Sequence, residues 1–140
     1  MNNSQKTVCI VGASGLLGSN VLKEALARGY KVNGTVRDVN ATDKATFLNA
    51  LPHADQNLRL FESEMADAES FDNALSNVDC VFIACLIPVY KGPTGKPARE
   101  MDDEQGYEEI IMPTVNGCLN ILKSTARQGV KNVVICSSTS

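Results

Sequence analysis

Three glycines, Gly12, Gly15 and Gly18, stand between a short apolar run, Val8-Cys9-Ile10-Val11, and a helical pattern stopped by Gly29. Leu17, Val21, Leu22, Ala25 and Leu26 share one face of that pattern. A glycine motif takes its meaning from such a strand–turn–helix context. Gly12 lets the chain turn sharply off the strand. Gly15 leaves the backbone bare, so that a pyrophosphate can approach it. Gly18 lets the helix pack close to the strand. The unpaired N–H groups of the first helical turn then face the phosphates, with the helix dipole behind them. The spacing is G-x-x-G-x-x-G rather than the commoner G-x-G-x-x-G.

The rest of the chain repeats the alternation. Strands are expected at Thr7–Val11, Lys31–Val36, Leu58–Phe61, Cys80–Cys85 and Asn132–Cys136. Helices are expected at Gly15–Arg28, Lys44–Leu51, Ser70–Ser76 and Tyr107–Gln128. Asn40-Ala41-Thr42-Asp43 supplies polar capping residues for the second helix, and Pro52 closes it. The fourth strand is apolar throughout, as a central position in a parallel sheet requires. Leu86–Gly106, broken by Pro88, Gly92, Pro93, Gly95 and Pro97 and ending in an acidic run, reads as a loop at the carboxyl end of that strand. Ile111, Val115, Cys118, Leu119, Leu122 and Ala126 form the apolar stripe of the last helix, enough to pack on the sheet. Pro113 should kink that helix or delay its regular start. Right-handed crossovers between parallel strands lead to an α/β, doubly wound parallel sheet of Rossmann type. Its five strands take the order 3-2-1-4-5, with no separate substrate domain. The glycine turn and the loop after Cys85 then face one crevice at the switch point.

The chain has 140 residues, a length that suits one domain burying about two-thirds of its unfolded surface. A net charge of −3 argues against nucleic acid as a partner. No apolar stretch approaches the ~20 residues of a membrane span. The polar start, Met1 to Lys6, does not resemble a signal peptide, and a cytoplasmic protein is expected. The five cysteines form no C-x-x-C pair and His53 is the only histidine, so buried thiols are expected and no metal site.

An acidic residue about 20 positions past the glycines selects NAD, whereas an arginine accommodates the 2′-phosphate of NADP. Arg37 stands nineteen residues after Gly18, and Lys44 could reach the same phosphate. These favour NADP. Asp38 leaves NAD open, should its carboxylate turn towards the ribose.

With these residues in view, the sequence resembles the extended short-chain dehydrogenase/reductase superfamily (NAD-dependent epimerase/dehydratase type). Within it, the chain is most similar to the dihydroflavonol reductase and cinnamoyl-CoA reductase group. The matching stretches are Thr7 to Gly15, Gly34-Thr35-Val36-Arg37-Asp38, Ser70-Phe71-Asp72-Asn73-Ala74, Val78-Asp79-Cys80-Val81-Phe82, Pro113-Thr114-Val115-Asn116-Gly117 and Val133 to Ser138. The resemblance implies that Gly12, Ser14, Gly15, Leu16, Leu17 and Gly18 line the pyrophosphate turn. It implies that Arg37 and Lys44 hold the 2′-phosphate, that Asp67-Ala68 lies near the adenine, and that Ala84, Cys85 and Leu86 run beside the riboses. Ser138 matches the catalytic serine that hydrogen-bonds the substrate carbonyl.

Two departures matter. Ile83-Ala84-Cys85-Leu86-Ile87-Pro88 has one residue more than the family's usual His-x-Ala-x-Pro. The family's Tyr-x-x-x-Lys is not found: Tyr30, Tyr90 and Tyr107 are followed four residues on by Gly34, Thr94 and Ile111. The tyrosine of that pair donates the proton as hydride arrives, and the lysine lowers its pKa. Residues 1–140 are therefore expected to be the NADP-binding domain of a reductase of ketones, aldehydes or thioesters. The domain would be truncated after its fifth strand and inactive alone. The alternatives are a naturally short, non-catalytic module that binds a nucleotide or a partner, or a piece of an NAD-dependent sugar epimerase or dehydratase.

Overall fold

The computed structural model describes residues 5–86 and 91–137. Five strands, β1 (Thr7–Val11), β2 (Lys31–Val36), β3 (Leu58–Glu62), β4 (Cys80–Ile83) and β5 (Asn132–Ile135), pair in the order β3-β2-β1-β4-β5. Every pairing is parallel, with Val8 opposite Val32 on one side of β1 and Cys80 on the other. This is the order expected from the alternating pattern.

Side chains of β1 alternate between two cores. Val8 and Ile10 pack with Leu22, Leu26, Val32 and Leu48. Cys9 and Val11 pack with Phe71, Leu75, Val81, Ile83 and Ile121. A strand buried on both faces must be apolar at every position, which is how β1 reads. Burial leaves the Cys9 thiol in a low-dielectric setting that disfavours its anion, and its pKa is pushed up to about 12.

The helices are α1 (Leu16–Ala27), α2 (Thr42–Asn49), α3 (Ala54–Asn57), α4 (Asp72–Leu75), α5 (Asp103–Gly106) and α6 (Met112–Arg127). Helix α2 begins two residues earlier than expected; Ala41 is its N-cap, and no side chain caps it. The third expected helix, Ser70–Ser76, divides into a 3₁₀ turn, Ala68–Phe71, and α4.

Two expectations about the last helix are corrected. It starts before Tyr107. The carboxylate of Asp102 accepts the Gln105 amide (2.8 Å), and Asp103 and Glu104 occupy the first turn. The acidic run is therefore a helix start, where its charge meets the positive end of the dipole. Pro113 has no N–H to give the preceding turn. The helix widens there into a π turn, Tyr107–Ile111, and the Thr114 hydroxyl donates to the Ile110 carbonyl (3.0 Å). The second correction concerns its faces. The buried residues of α6 are Gly117, Ile121, Ser124 and Thr125, whereas Ile111, Val115, Leu119 and Ala126 face solvent. Of the expected stripe, Leu122 packs against the second core, while the line through Ile111, Val115 and Leu119 points away from the sheet. Among the described residues, no helix is long and apolar enough to cross a membrane.

Candidate functional site

The β1–α1 turn is set by contacts that tolerate few side chains. Gly12 adopts φ +82°, a backbone conformation that favours glycine. A Cβ built there would also stand 2.7 Å from the Cβ of Cys85. At Gly18 a Cβ would come within 1.9 Å of the Gly12 carbonyl oxygen. Thr35, buried in β2, holds the turn from the side. Its hydroxyl accepts the Gly12 N–H (3.1 Å) and its carbonyl accepts the Ala13 N–H (2.9 Å).

Gly15 is different. Among the described residues, a Cβ at this position would meet only the Gly12 carbonyl, at an ordinary 3.5 Å. Neither its φ nor its packing within the chain demands glycine. Gly15 and Leu16 are exposed, and Gly15 is the N-cap of α1 without any side-chain cap. The first amide of the turn to find an intrahelical acceptor is that of Ser19, on the Gly15 carbonyl (2.9 Å). The amides of Leu16, Leu17 and Gly18 precede it and have no such partner. Ser14 and Leu17 flank them, half-buried. The result is a bare, positively polarised helix start opening on solvent, suited to an anion.

Cys85 closes the other side, immediately beyond β4. Ala84 is buried, and its N–H donates to the Val11 carbonyl (3.0 Å), drawing this segment against the glycine turn. Cys85 and Leu86 pack half-buried on the second core. Burial pushes the Cys85 thiol up to about 11; the Cys118 sulfur adds to this, while the positive charge of Arg37 pulls against it. The turn and the post-β4 segment thus share one crevice, as expected for a switch point.

Arg37 and Asp38 follow β2 and are exposed. The Asp38 carboxylate is engaged locally, accepting the Asn40 amide (2.8 Å). Arg37 forms no ion pair among the described residues. Lys44 is exposed near the start of α2.

The Asp67-Ala68 pair is used by its own segment. Asp67 caps the 3₁₀ turn through the Glu69 amide (3.0 Å), and the Ala68 carbonyl accepts from Arg127 (2.9 Å). The residues brought to the crevice are instead Glu64, Met65 and Ala66. With Cys85, Asn116 and Lys123 they line a cleft of about 600 Å³. Met65 is pinned there by α6: the Asn120 amide donates to its carbonyl (2.8 Å), and a Cβ on Gly117 would strike its Cε at 2.2 Å. Ser138 lies outside the described residues, as does Tyr90.

Sequence reasoning passed over Thr35 and Met65. A hydroxyl two residues before Arg37, on a strand otherwise suited to burial, was the available signal for Thr35. Met65 carried none, because its position depends on a glycine fifty-two residues away.

A parallel sheet in this order, with an uncapped helix start at its switch point, defines a dinucleotide-binding fold of the doubly wound class. The model of the NAD(P)H-binding family matches residues 12–140, and the chain belongs to that family. Among the known proteins it is similar to are several reductases. It is 36% identical to dihydroflavonol 4-reductase of Dianthus caryophyllus, over 95% of this chain and 34% of that one. It is 38% identical to tetraketide alpha-pyrone reductase 1 of Arabidopsis thaliana, over 100% of this chain and 40% of that one. Among solved structures, vestitone reductase from alfalfa superposes with a TM-score of 0.67 at 28% identity, over 94% of this chain and 36% of that one. The chain therefore spans between a third and two-fifths of the length of these relatives.

Proposed function

We propose that these residues bind NADPH and form the cofactor half of a carbonyl reductase. The observation that carries this reading is Gly15. The fold needs Gly12 and Gly18, but nothing among the described residues requires a missing side chain at Gly15. Space kept free beside unpartnered amides at a helix start is space for an anion from outside, and a diphosphate has the right size and charge.

Preference for NADPH over NADH rests on Arg37. Asp38, the acid that could have bonded a ribose 2′-hydroxyl, is tied to the Asn40 amide. Arg37 is exposed and forms no ion pair among the described residues, so its guanidinium is free for an anion. Lys44, exposed near the start of α2, adds a second cation. In this reading Ser14, Leu16 and Leu17 flank the diphosphate, Ala84, Cys85 and Leu86 run along the riboses, and the Met65 cleft takes the adenine. That last assignment replaces the expected Asp67-Ala68, whose polar groups are engaged elsewhere.

Bound NADPH supplies hydride to a carbonyl carbon. The reductases named above support a small carbonyl compound as the partner, with Ser138 placed by resemblance at its oxygen. No Tyr-x-x-x-Lys occurs in residues 1–140, so these residues alone lack a proton donor for the alkoxide. They are expected to bind cofactor without oxidising it in the presence of aldehydes or ketones.

Parallel calorimetric titrations with NADPH and NADH test the proposal. A charge-assisted contact contributes about 1.5–3 kcal/mol, so NADPH should bind about tenfold to a hundredfold tighter. Arg37→Ala should erase the difference by weakening NADPH alone. Equal affinities, or tighter NADH, would remove the role given to Arg37.

A further inference from the structure

The turn between β2 and α2 joins the two cations given to the phosphate, Arg37 before it and Lys44 after it. The turn does little to hold itself. The N-cap of α2, Ala41, has no side-chain cap, and the Ala41 N–H reaches back to the Asp38 carbonyl at 3.3 Å. Two carboxylates supply the rest. Asp38 accepts the Asn40 amide within the turn (2.8 Å). Glu62 accepts the Val39 amide (3.4 Å) from the end of β3, 23 residues further along the chain.

Strand register sets this reach. Val36 lies opposite Glu62 in the parallel pairing of β2 with β3, and the Ser63 N–H donates to the Val36 carbonyl (3.0 Å). The last rung of the ladder thus stands beside the residue that leads into Arg37. Leu58 and Leu60 pack on the core of Val8 and Ile10, as Val39 does. Strand alternation gives Glu62 that same face. Asp38 and Glu62 are both exposed, and neither is in an ion pair among the described residues. Acids beside a guanidinium can neutralise it. Here each carboxylate is engaged by a backbone N–H, and Arg37 keeps its charge for a ligand.

We propose that Glu62 is a positioning residue for the choice of NADPH over NADH: it braces the β2–α2 turn so that Arg37 and Lys44 converge on the 2′-phosphate. The inference rests on the NADPH reading above. Glu62 touches no part of the nucleotide and acts through the Val39 amide. Freeing that amide loosens the turn between the two cations. The loss falls on NADPH, because NADH has no 2′-phosphate for them to hold.

Titration of the 140-residue chain, Glu62→Ala and Glu62→Gln with NADPH and with NADH tests this, alongside hydrogen exchange of the Val39 amide by NMR without nucleotide. Glu62→Ala should weaken NADPH about two- to fivefold, the worth of one hydrogen bond at an exposed site, and leave NADH within about twofold. Exchange at Val39 should quicken by a similar factor. Glu62→Gln, whose side-chain carbonyl accepts the same bond, should restore both. Three results would overturn the proposal: Val39 exchange unchanged in Glu62→Ala, equal losses for NADPH and NADH, or tighter NADPH binding by both variants. The last would make the carboxylate a repelling charge rather than a brace. A parent that prefers NADPH, loses the preference in Arg37→Ala and keeps it in Glu62→Ala would sink the role of Glu62 alone. A parent without the preference would sink the NADPH reading and this inference with it.

Discussion

β1 and β5 are built from nearly the same side chains and live in opposite surroundings. Val8-Cys9-Ile10-Val11 is covered on both faces and no more than 5% exposed. Val133, Val134 and Ile135 are 40–47% exposed at the open edge of the sheet. Apolar composition records that a segment suits burial; it does not say what does the burying. α1 and α6 differ in the same way. The inner face of α1 is locked to β1 through Gly18, whereas α6 shows its longest apolar line to solvent. Both faces of β1 are finished interior, whereas β5 and the outer line of α6 stay open to solvent.

The sharpest way to break this contrast is at Gly18. A Cβ there cannot coexist with the Gly12 carbonyl, so Gly18→Val should destabilise the chain by on the order of 4 kcal/mol or more in urea unfolding. A cost near zero would mean that α1 does not sit on β1 as described. Next comes a matched pair of truncations. Ile10→Ala removes a fully buried side chain and should cost about 2–5 kcal/mol. Val134→Ala, half exposed on β5, should cost about 0.5 kcal/mol. Similar costs for the two would contradict the distinction between the strands.

A smaller effect concerns the link between the α6 side and the 3₁₀ turn. Arg127 donates to Asp72 (2.8 Å), and the Ser124 hydroxyl donates to the same carboxylate oxygen. These bonds hold the Asp72 carboxyl below its ordinary range, the arginine contact first. A lowered folded pKa stabilises the fold above the unfolded value, about 3.9, and that contribution is lost as pH falls through the folded one. Acid unfolding followed by circular dichroism should therefore show a step below about pH 4 that Asp72→Asn diminishes. An unchanged profile would dismiss the pair as a stabilising contact. The smallest effect is chemical. Exposed Cys136 should be alkylated at pH 8 well before Cys85, whose thiol is pushed up to about 11, and before buried Cys9.

Local chemistry was legible in the chain; long-range cover was not. Gly12 and Gly18 announce themselves because a positive φ and a close backbone approach leave no other choice of residue. The strand order follows from alternation and crossover handedness. Asp102 could have been read as a cap, but the prolines before it made the whole stretch look irregular. The face chosen by α6 was misjudged because Ile111, Val115 and Leu119 are the larger side chains. Gly117 lets α6 lie close on Met65, and Ile121 fills the second core beside the small Ser124 and Thr125. The resemblance places Asp67 near the adenine, and its capping bond to the Glu69 amide becomes visible only with coordinates.

The account stands on Gly15 being bare for the sake of something outside the chain. NADPH titration of Gly15→Val beside the parent, with urea unfolding of both, tests it most directly. The expected result is a loss of stability of no more than about 1 kcal/mol, the N-cap preference for glycine over valine, with NADPH affinity down by at least tenfold. A variant that folds as well and binds NADPH as tightly would contradict it, as would a parent chain that does not bind NADPH at all.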